Sequence, residues 1–192
     1  MADRAPSSPE SIRQQVRLVP GADGQKRHLL HPFNGRFNAV DHDALDALLG
    51  AMAPRIDLGS VDCVVGFPEG GSIPAYAFAR LVGRPVVLAS RIPLDLPDTI
   101  TFEQPQANLG KTHHLYGLRA GNRVMIFEDE LTNGRTVVNA ARALRRAGIE
   151  IDQIATLFAV DHPPLWRRME SERLTLHVGV LLPPAYAARP LE

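Results

Sequence analysis

Val124-Met125-Ile126-Phe127-Glu128-Asp129-Glu130-Leu131-Thr132-Asn133-Gly134-Arg135-Thr136 is the stretch from which the fold of this chain is read. Val124 to Phe127 is an unbroken apolar run, the pattern of a strand buried on both faces in a parallel sheet. Three carboxylates, Glu128, Asp129 and Glu130, follow at its end, where α/β sheets place their ligands. The small polar turn Thr132 to Thr136 then opens into an amphipathic segment with Val137, Ala141 and Leu144 on one face. Strand, acids, hydroxyl- and glycine-bearing turn, helix: this order suits a phosphorylated, hydroxylated ligand. Backbone N–H groups at the turn and helix N-terminus would hold a phosphate. The carboxylates would accept from sugar hydroxyls or sit near a ligand-bound metal.

Working outward, Val61 to Val65 reads as another buried strand and Gly66-Phe67-Pro68-Glu69-Gly70-Gly71-Ser72 as a glycine-rich loop. A helix over Ile73–Val82 and a strand over Val86–Ala89 follow. Such a unit has a right-handed crossover and a parallel sheet. Arg123 to Phe127 is the third core strand, Arg135 to Ala147 a helix, Gln153 to Val160 a fourth strand, Leu165 to Glu172 a short helix and Leu174 to Leu182 a last strand. The fold class is therefore α/β, a central mostly parallel sheet flanked by helices, in a single domain over residues 1–192.

Before the core, residues 1 to about 10 read as a disordered lead-in and Glu10–Val16 as a helical turn or two. Gly21-Ala22-Asp23-Gly24 is a turn that would make Lys26–His31 a hairpin strand. Asp41 caps a helix carrying Leu45, Leu48, Leu49 and Met52, which Pro54 ends. Ser90 to Asn122 shows little periodicity, and so long a stretch in a compact domain is a functional lid, a hairpin, or both.

The bulk numbers set limits on function. In 192 residues, 21 Lys and Arg balance 21 Asp and Glu, so global charge makes no case for nucleic acid or a membrane surface. No apolar run approaches the roughly 20 residues of a membrane span and no secretory signal is evident, so a soluble cytoplasmic protein is expected. The single cysteine, Cys63, lies within an apolar run and reads as a buried, inert thiol.

With its strand-to-helix setting and the glycine loop upstream, Val124–Thr136 resembles the signature of type I phosphoribosyltransferases, and the resemblance covers about Val61 to Val160. It implies that family's core with a small variable hood, and a Mg²⁺-dependent transfer from 5-phosphoribosyl 1-diphosphate to a ring nitrogen of a purine or orotate-like base. By resemblance, Glu128 and Asp129 bind the ribose hydroxyls and touch the metal, indirectly, through those hydroxyls or water. Thr132, Asn133, Gly134, Arg135 and Thr136 hold the 5-phosphate. The loop with Glu69, Gly70 and Gly71 meets the diphosphate, although Glu69 is an unexpected charge there, to be turned away or placed in the metal's water shell. A cis peptide is common in this family's loop, and Pro68 favours the Phe67–Pro68 bond for it. Arg91 matches a basic residue that orotate-type members direct at the diphosphate. Lys111-Thr112-His113-His114 is similar to their mobile cationic loop, so Lys111 and His113 join Glu128 and Asp129 as the expected catalytic set, with the choice between His113 and His114 open. A zinc site at the His pair lacks companion ligands at suitable spacing.

The acceptor is less defined. Hypoxanthine-guanine types carry a carboxylate where Thr132 stands, although the Glu128–Asp129 pair itself looks like theirs, and the overall look is closest to adenine- and orotate-type enzymes. Glu130 stands in place of a usual apolar residue, to reach the acceptor or to sit at a more open edge. Residues 26–52 and 161–182 are the expected hood. Phe33, Phe37, Trp166 and Tyr186 are candidate stacking partners for the base, each with packing as the simpler role. The family also implies a homodimer. Two other readings stand: a non-catalytic regulator that senses a nucleotide or phosphoribosyl diphosphate, and transfer to a specialised non-nucleobase acceptor.

Overall fold

Three βα units decide the architecture. The computed structural model describes residues 8–20, 27–105 and 112–187. Strands β3 (Cys63–Gly66), β4 (Val86–Leu88), β7 (Arg123–Leu131), β8 (Glu150–Val160) and β9 (Thr175–Leu182) form one five-stranded sheet in the order β4-β3-β7-β8-β9. Every pairing in it is parallel. Two antiparallel hairpins stand apart from it: β1 (Arg17–Pro20) with β2 (Arg27–Leu30), and β5 (Ile100–Glu103) with β6 (Thr112–Leu115).

Helices α1 (Pro9–Gln14), α2 (His42–Met52) and α3 (Ser72–Leu81) share one apolar layer with Met125, Phe127, Leu157, Phe158 and Val180. Helices α4 (Arg135–Arg146) and α5 (Pro163–Ser171), with the β5–β6 hairpin, form the other layer around Val65, Val124, Ile126 and Ile154. Central strand β7 thus buries alternate residues on opposite faces, as a period of two requires. Burial also raises the Cys63 thiol to about 11, mainly by desolvation, which makes it the inert thiol expected.

Several boundaries differ from the expectations. The lead-in ends sooner, because Ser8 caps α1 by accepting from the Ser11 amide at 3.1 Å. Asp41 caps α2 as foreseen, accepting from the Ala44 amide at 3.1 Å. The third core strand does not stop at Phe127. It runs through all three acids to Leu131, because β8 continues to pair with it as far as Leu131↔Ala159. The segments expected as hood, 26–52 and 161–182, include elements of the sheet layer. Helix α2 lies on the sheet, so close to β9 that a Cβ at Gly179 would sit 2.8 Å from Met52 Sδ, and β9 is itself a strand of the sheet. The segment 90–122 contains the β5–β6 hairpin, held to α4 by the Asn139 side-chain amide donating to the Glu103 carbonyl at 2.9 Å. The turn Gly21–Gly24, most of the lead-in, and Lys111 lie outside the described residues.

Phe127 tests this layering. It is fully buried, 4.7 Å from Phe78 between ring centroids. Phe127→Ala should cost about 3–5 kcal/mol of unfolding free energy in urea titrations, whereas exposed Tyr76→Ala on the same helix layer should leave the midpoint nearly unchanged.

Candidate functional site

Because β3 and β7 are paired neighbours with Gly66 opposite Phe127, the loop leaving β3 must cross over the acids that continue β7. The contact is close. A Cβ on Gly70 would lie 1.8 Å from Asp129 Oδ2, and one on Gly71 3.1 Å from Glu128 Oε1. Two successive glycines therefore lie directly against two successive carboxylates, which side chains at these positions would force to shift. The loop's cis peptide is Pro68–Glu69, one bond beyond the Phe67–Pro68 bond that the sequence suggested.

Burial and mutual repulsion govern the acids. Glu128 is held well above the ordinary carboxyl value, first by desolvation and then by the Asp129 charge, and Glu130 is raised by the same two causes in the same order. Glu128 Oε1 and Glu130 Oε2 are buried without a hydrogen-bond partner among the described residues. Such atoms call for a ligand donor or a cation. Asp129 is 9% exposed, and its Oδ2 lies 3.1 Å from His31 Nε2. Sequence reasoning missed His31: nothing local marks a residue whose partner is 98 positions away.

At the start of α4, Gly134 takes φ 72°, and a Cβ there would meet Leu165 Cδ1 at 2.8 Å and Met169 Cε at 2.9 Å. Helix α5 thus packs against the polar turn. It also contributes Arg168, which donates to the Asn133 carbonyl at 2.8 Å and was likewise not foreseen. Asn133 Oδ1 accepts from the Arg135 amide at 3.0 Å, closing the turn. Thr132 and Thr136 are half-buried and Arg135 is exposed. The first helical amides of α4 have no intrahelical acceptors and carry the positive end of the helix dipole.

Other expected residues lie differently. The Glu69 side chain is half exposed. It pairs with Arg36 at 2.9 Å and Arg91 at 3.2 Å, so the cation expected for diphosphate is engaged by the loop's own carboxylate. His113 is not presented on a lid. Strand alternation turns it inward beside Leu115, fully buried and stacked on Phe102 at 5.2 Å. His114 points the other way and stacks on Tyr116, whose hydroxyl donates to the Ile92 carbonyl and accepts from the Leu94 amide. Of the candidate stacking rings, Phe33 is core, Tyr186 bonds the Val16 carbonyl and Trp166 bonds Asp161, while Phe37 is 56% exposed beneath Arg36. Among the described residues, no group of three or more His, Cys, Asp or Glu side chains forms a metal cage, and no helix is long and apolar enough to cross a membrane.

Acids, glycine loop and helix N-terminus meet at the C-terminal ends of adjacent parallel strands, the ligand-binding edge of an open α/β sheet. The sequence profile of the phosphoribosyl transferase domain matches residues 41–175, and the chain belongs to that family and is a phosphoribosyltransferase. It is 28% identical over 167 residues to the HGPRTase-like protein 3 of Haloterrigena turkmenica, covering 84% of this chain and 89% of that one. It is 22% identical over 134 residues to the hypoxanthine/guanine phosphoribosyltransferase of Methanosarcina barkeri, 70% of each chain. Among solved structures, the adenine phosphoribosyltransferase of Rhodothermus marinus superposes with a TM-score of 0.71 at 20% identity, over 91% of this chain and 98% of that one. The Giardia lamblia enzyme bound to 9-deazaadenine gives 0.73 at 18% identity, over 91% and 97%. These likenesses establish the type I fold read from the motif.

The raised acids set a pH prediction. A folded-state carboxyl raised above its ordinary 4.5 favours folding at low pH, and that advantage is lost as pH rises through the folded value. Glu130→Gln should therefore raise Tm at about pH 8 and leave it nearly unchanged near pH 4.5, read by calorimetry of protein kept in chelator.

Proposed function

We propose that the chain transfers the 5-phosphoribosyl group from 5-phosphoribosyl 1-diphosphate to a ring nitrogen of a purine base, releasing diphosphate. The observation that carries this reading is the approach of Gly70 and Gly71 to Asp129 and Glu128. It sets a backbone suited to a diphosphate directly beside carboxylates suited to the ribose hydroxyls, as a reaction at C1 between them requires. The names of the relatives favour a purine. Thr132, which supplies no carboxylate, leaves the choice between 6-oxo and 6-amino purines to experiment.

In this reading the turn from Thr132 to Thr136 and the first amides of α4 hold the 5-phosphate. Glu128 and Asp129 orient the ribose and offset positive charge that grows at C1 as its bond to the diphosphate oxygen breaks. The electron pair leaves with the diphosphate, the acceptor nitrogen bonds to C1, and the acceptor's ring proton is lost. The orphaned Glu128 Oε1 fits a divalent cation with mostly water and substrate ligands, the habit of Mg²⁺. When bound, Mg²⁺ would stabilise charge on the leaving diphosphate, held near Glu128 and Asp129 directly or through the ribose hydroxyls and water. Lys111 would add a cation over the leaving group.

One observation favours a second reading. Glu69 engages Arg36 and Arg91 where a diphosphate would want them, which suits a site that senses a nucleotide's ribose phosphate instead. Incubation with Mg²⁺, phosphoribosyl diphosphate and a panel of purines, pyrimidines and orotate separates the two. Diphosphate release with a purine is expected, with Asp129→Asn losing most turnover; nucleotide binding without release from any base favours the sensor. Lys111→Ala should lower kcat more than donor affinity, and an unchanged kcat would remove Lys111 from the chemistry.

A further inference from the structure

His31 follows β2 and runs into the interior, only 1% exposed. A buried imidazole needs partners for both nitrogens. The Phe33 N–H donates to Nδ1 at 3.2 Å, and Nε2 lies 3.1 Å from Asp129 Oδ2. A backbone amide can only donate, so Nδ1 is an acceptor and carries no proton. The proton of the neutral ring is therefore on Nε2, which donates to the carboxylate. The ring packs 4.8 Å from Phe158, which also stacks on Phe33 at 6.1 Å. Asn38 closes the turn by donating its side-chain amide to the His31 carbonyl at 3.1 Å. Packing and two hydrogen bonds leave the imidazole one orientation and one tautomer.

We propose that His31 is a positioning residue for phosphoribosyl transfer, holding the Asp129 carboxylate against Gly70 so that Oδ1 remains available to a ribose hydroxyl. This rests on the reading of Asp129 as a ribose ligand. Glu128 and Glu130 flank Asp129 on β7, and a protonated Glu128 shares a hydrogen bond with it. His31 supplies a second donor from outside the motif. The ring is not a general base, because Nδ1 is occupied by an amide and Nε2 by the carboxylate. Its effect is mechanical: the turn from His31 to Asn38 and the acid on β7 are held as one unit.

The test compares His31→Phe, which keeps a ring against Phe158 but loses the N–H, with His31→Gln, which restores a side-chain N–H at similar reach. Each is measured by steady-state kinetics with the base the wild type uses, alongside thermal unfolding. His31→Phe should lower kcat about 10- to 100-fold, the usual loss when the partner orienting a ligand-holding group is removed. KM for the base should stay near wild type, Tm should fall only modestly as the buried Phe33 N–H loses its acceptor, and His31→Gln should recover most of the lost turnover. Wild-type kcat in His31→Phe overturns the proposal. So do equal losses in both variants with a steeply depressed Tm, which would mark a packing role. Nitrogen-15 NMR of the ring supplies a readout independent of turnover: an Nε2-protonated neutral imidazole whose signals move in Asp129→Asn is expected, and a ring protonated on Nδ1 overturns the proposal. If wild type releases no diphosphate with any base, the transfer reading fails instead, and the NMR arm still decides the contact.

Discussion

The contact between Gly70–Gly71 and Glu128–Asp129 is the constraint on which the rest of this structure depends. Parallel pairing of β3 with β7 brings the two chain segments to the same height, so whatever leaves β3 must pass over whatever ends β7. With any side chain at 70, a Cβ would fall within bonding distance of Asp129 Oδ2. Glycine at 70 lets the Asp129 carboxylate lie against the loop without being pushed aside. Gly66 serves the same junction, since a Cβ there would meet Ala75 Cβ at 2.4 Å and push α3 off the sheet. One geometric demand thus fixes residues in a strand end, a loop and a helix packing face.

That demand has an electrostatic cost. Three successive carboxylates, two of them against the glycine loop, lose water and repel one another, which is why Glu128 and Glu130 are both raised. Proteins tolerate such clusters where a ligand makes up for the lost solvation, so the destabilised state is the free one. Around the acids the structure places cations and donors from distant segments: His31 on Asp129, Arg36 and Arg91 on Glu69, Arg168 on the turn at Asn133. Each comes from an element other than the one it supports, so the site is knit across both layers of the fold.

This explains what was and was not legible in the sequence. The apolar run, the acids, the glycine loop and the polar turn are local patterns, and local pattern carries strand, loop and helix start. The extension of β7 through the acids was hidden, because charged residues read as a strand end and only the pairing with β8 keeps them in the strand. His113 was misplaced for a related reason: in a two-residue His pair, alternation decides which ring turns inward, and the register of β6 is set by its partner β5. His31 and Arg168 could not be found from spacing at all, since their partners lie far along the chain.

The same division bears on specificity. The groups read as donor ligands sit on β7, on the loop between β3 and α3 and on the start of α4, all anchored by the buried sheet. The segments that differ from a plain α/β core, the turn after β2 and the stretch entering α5, are held by side-chain hydrogen bonds such as Asn38 to His31 and Trp166 to Asp161. Substitutions in those turns can reshape the space above the sheet without disturbing the parallel pairing beneath it. A shared fold among relatives named for different purines is the expected outcome of that arrangement. Through His31, however, the first of those turns also touches Asp129, so drift there is free only while that hydrogen bond is kept.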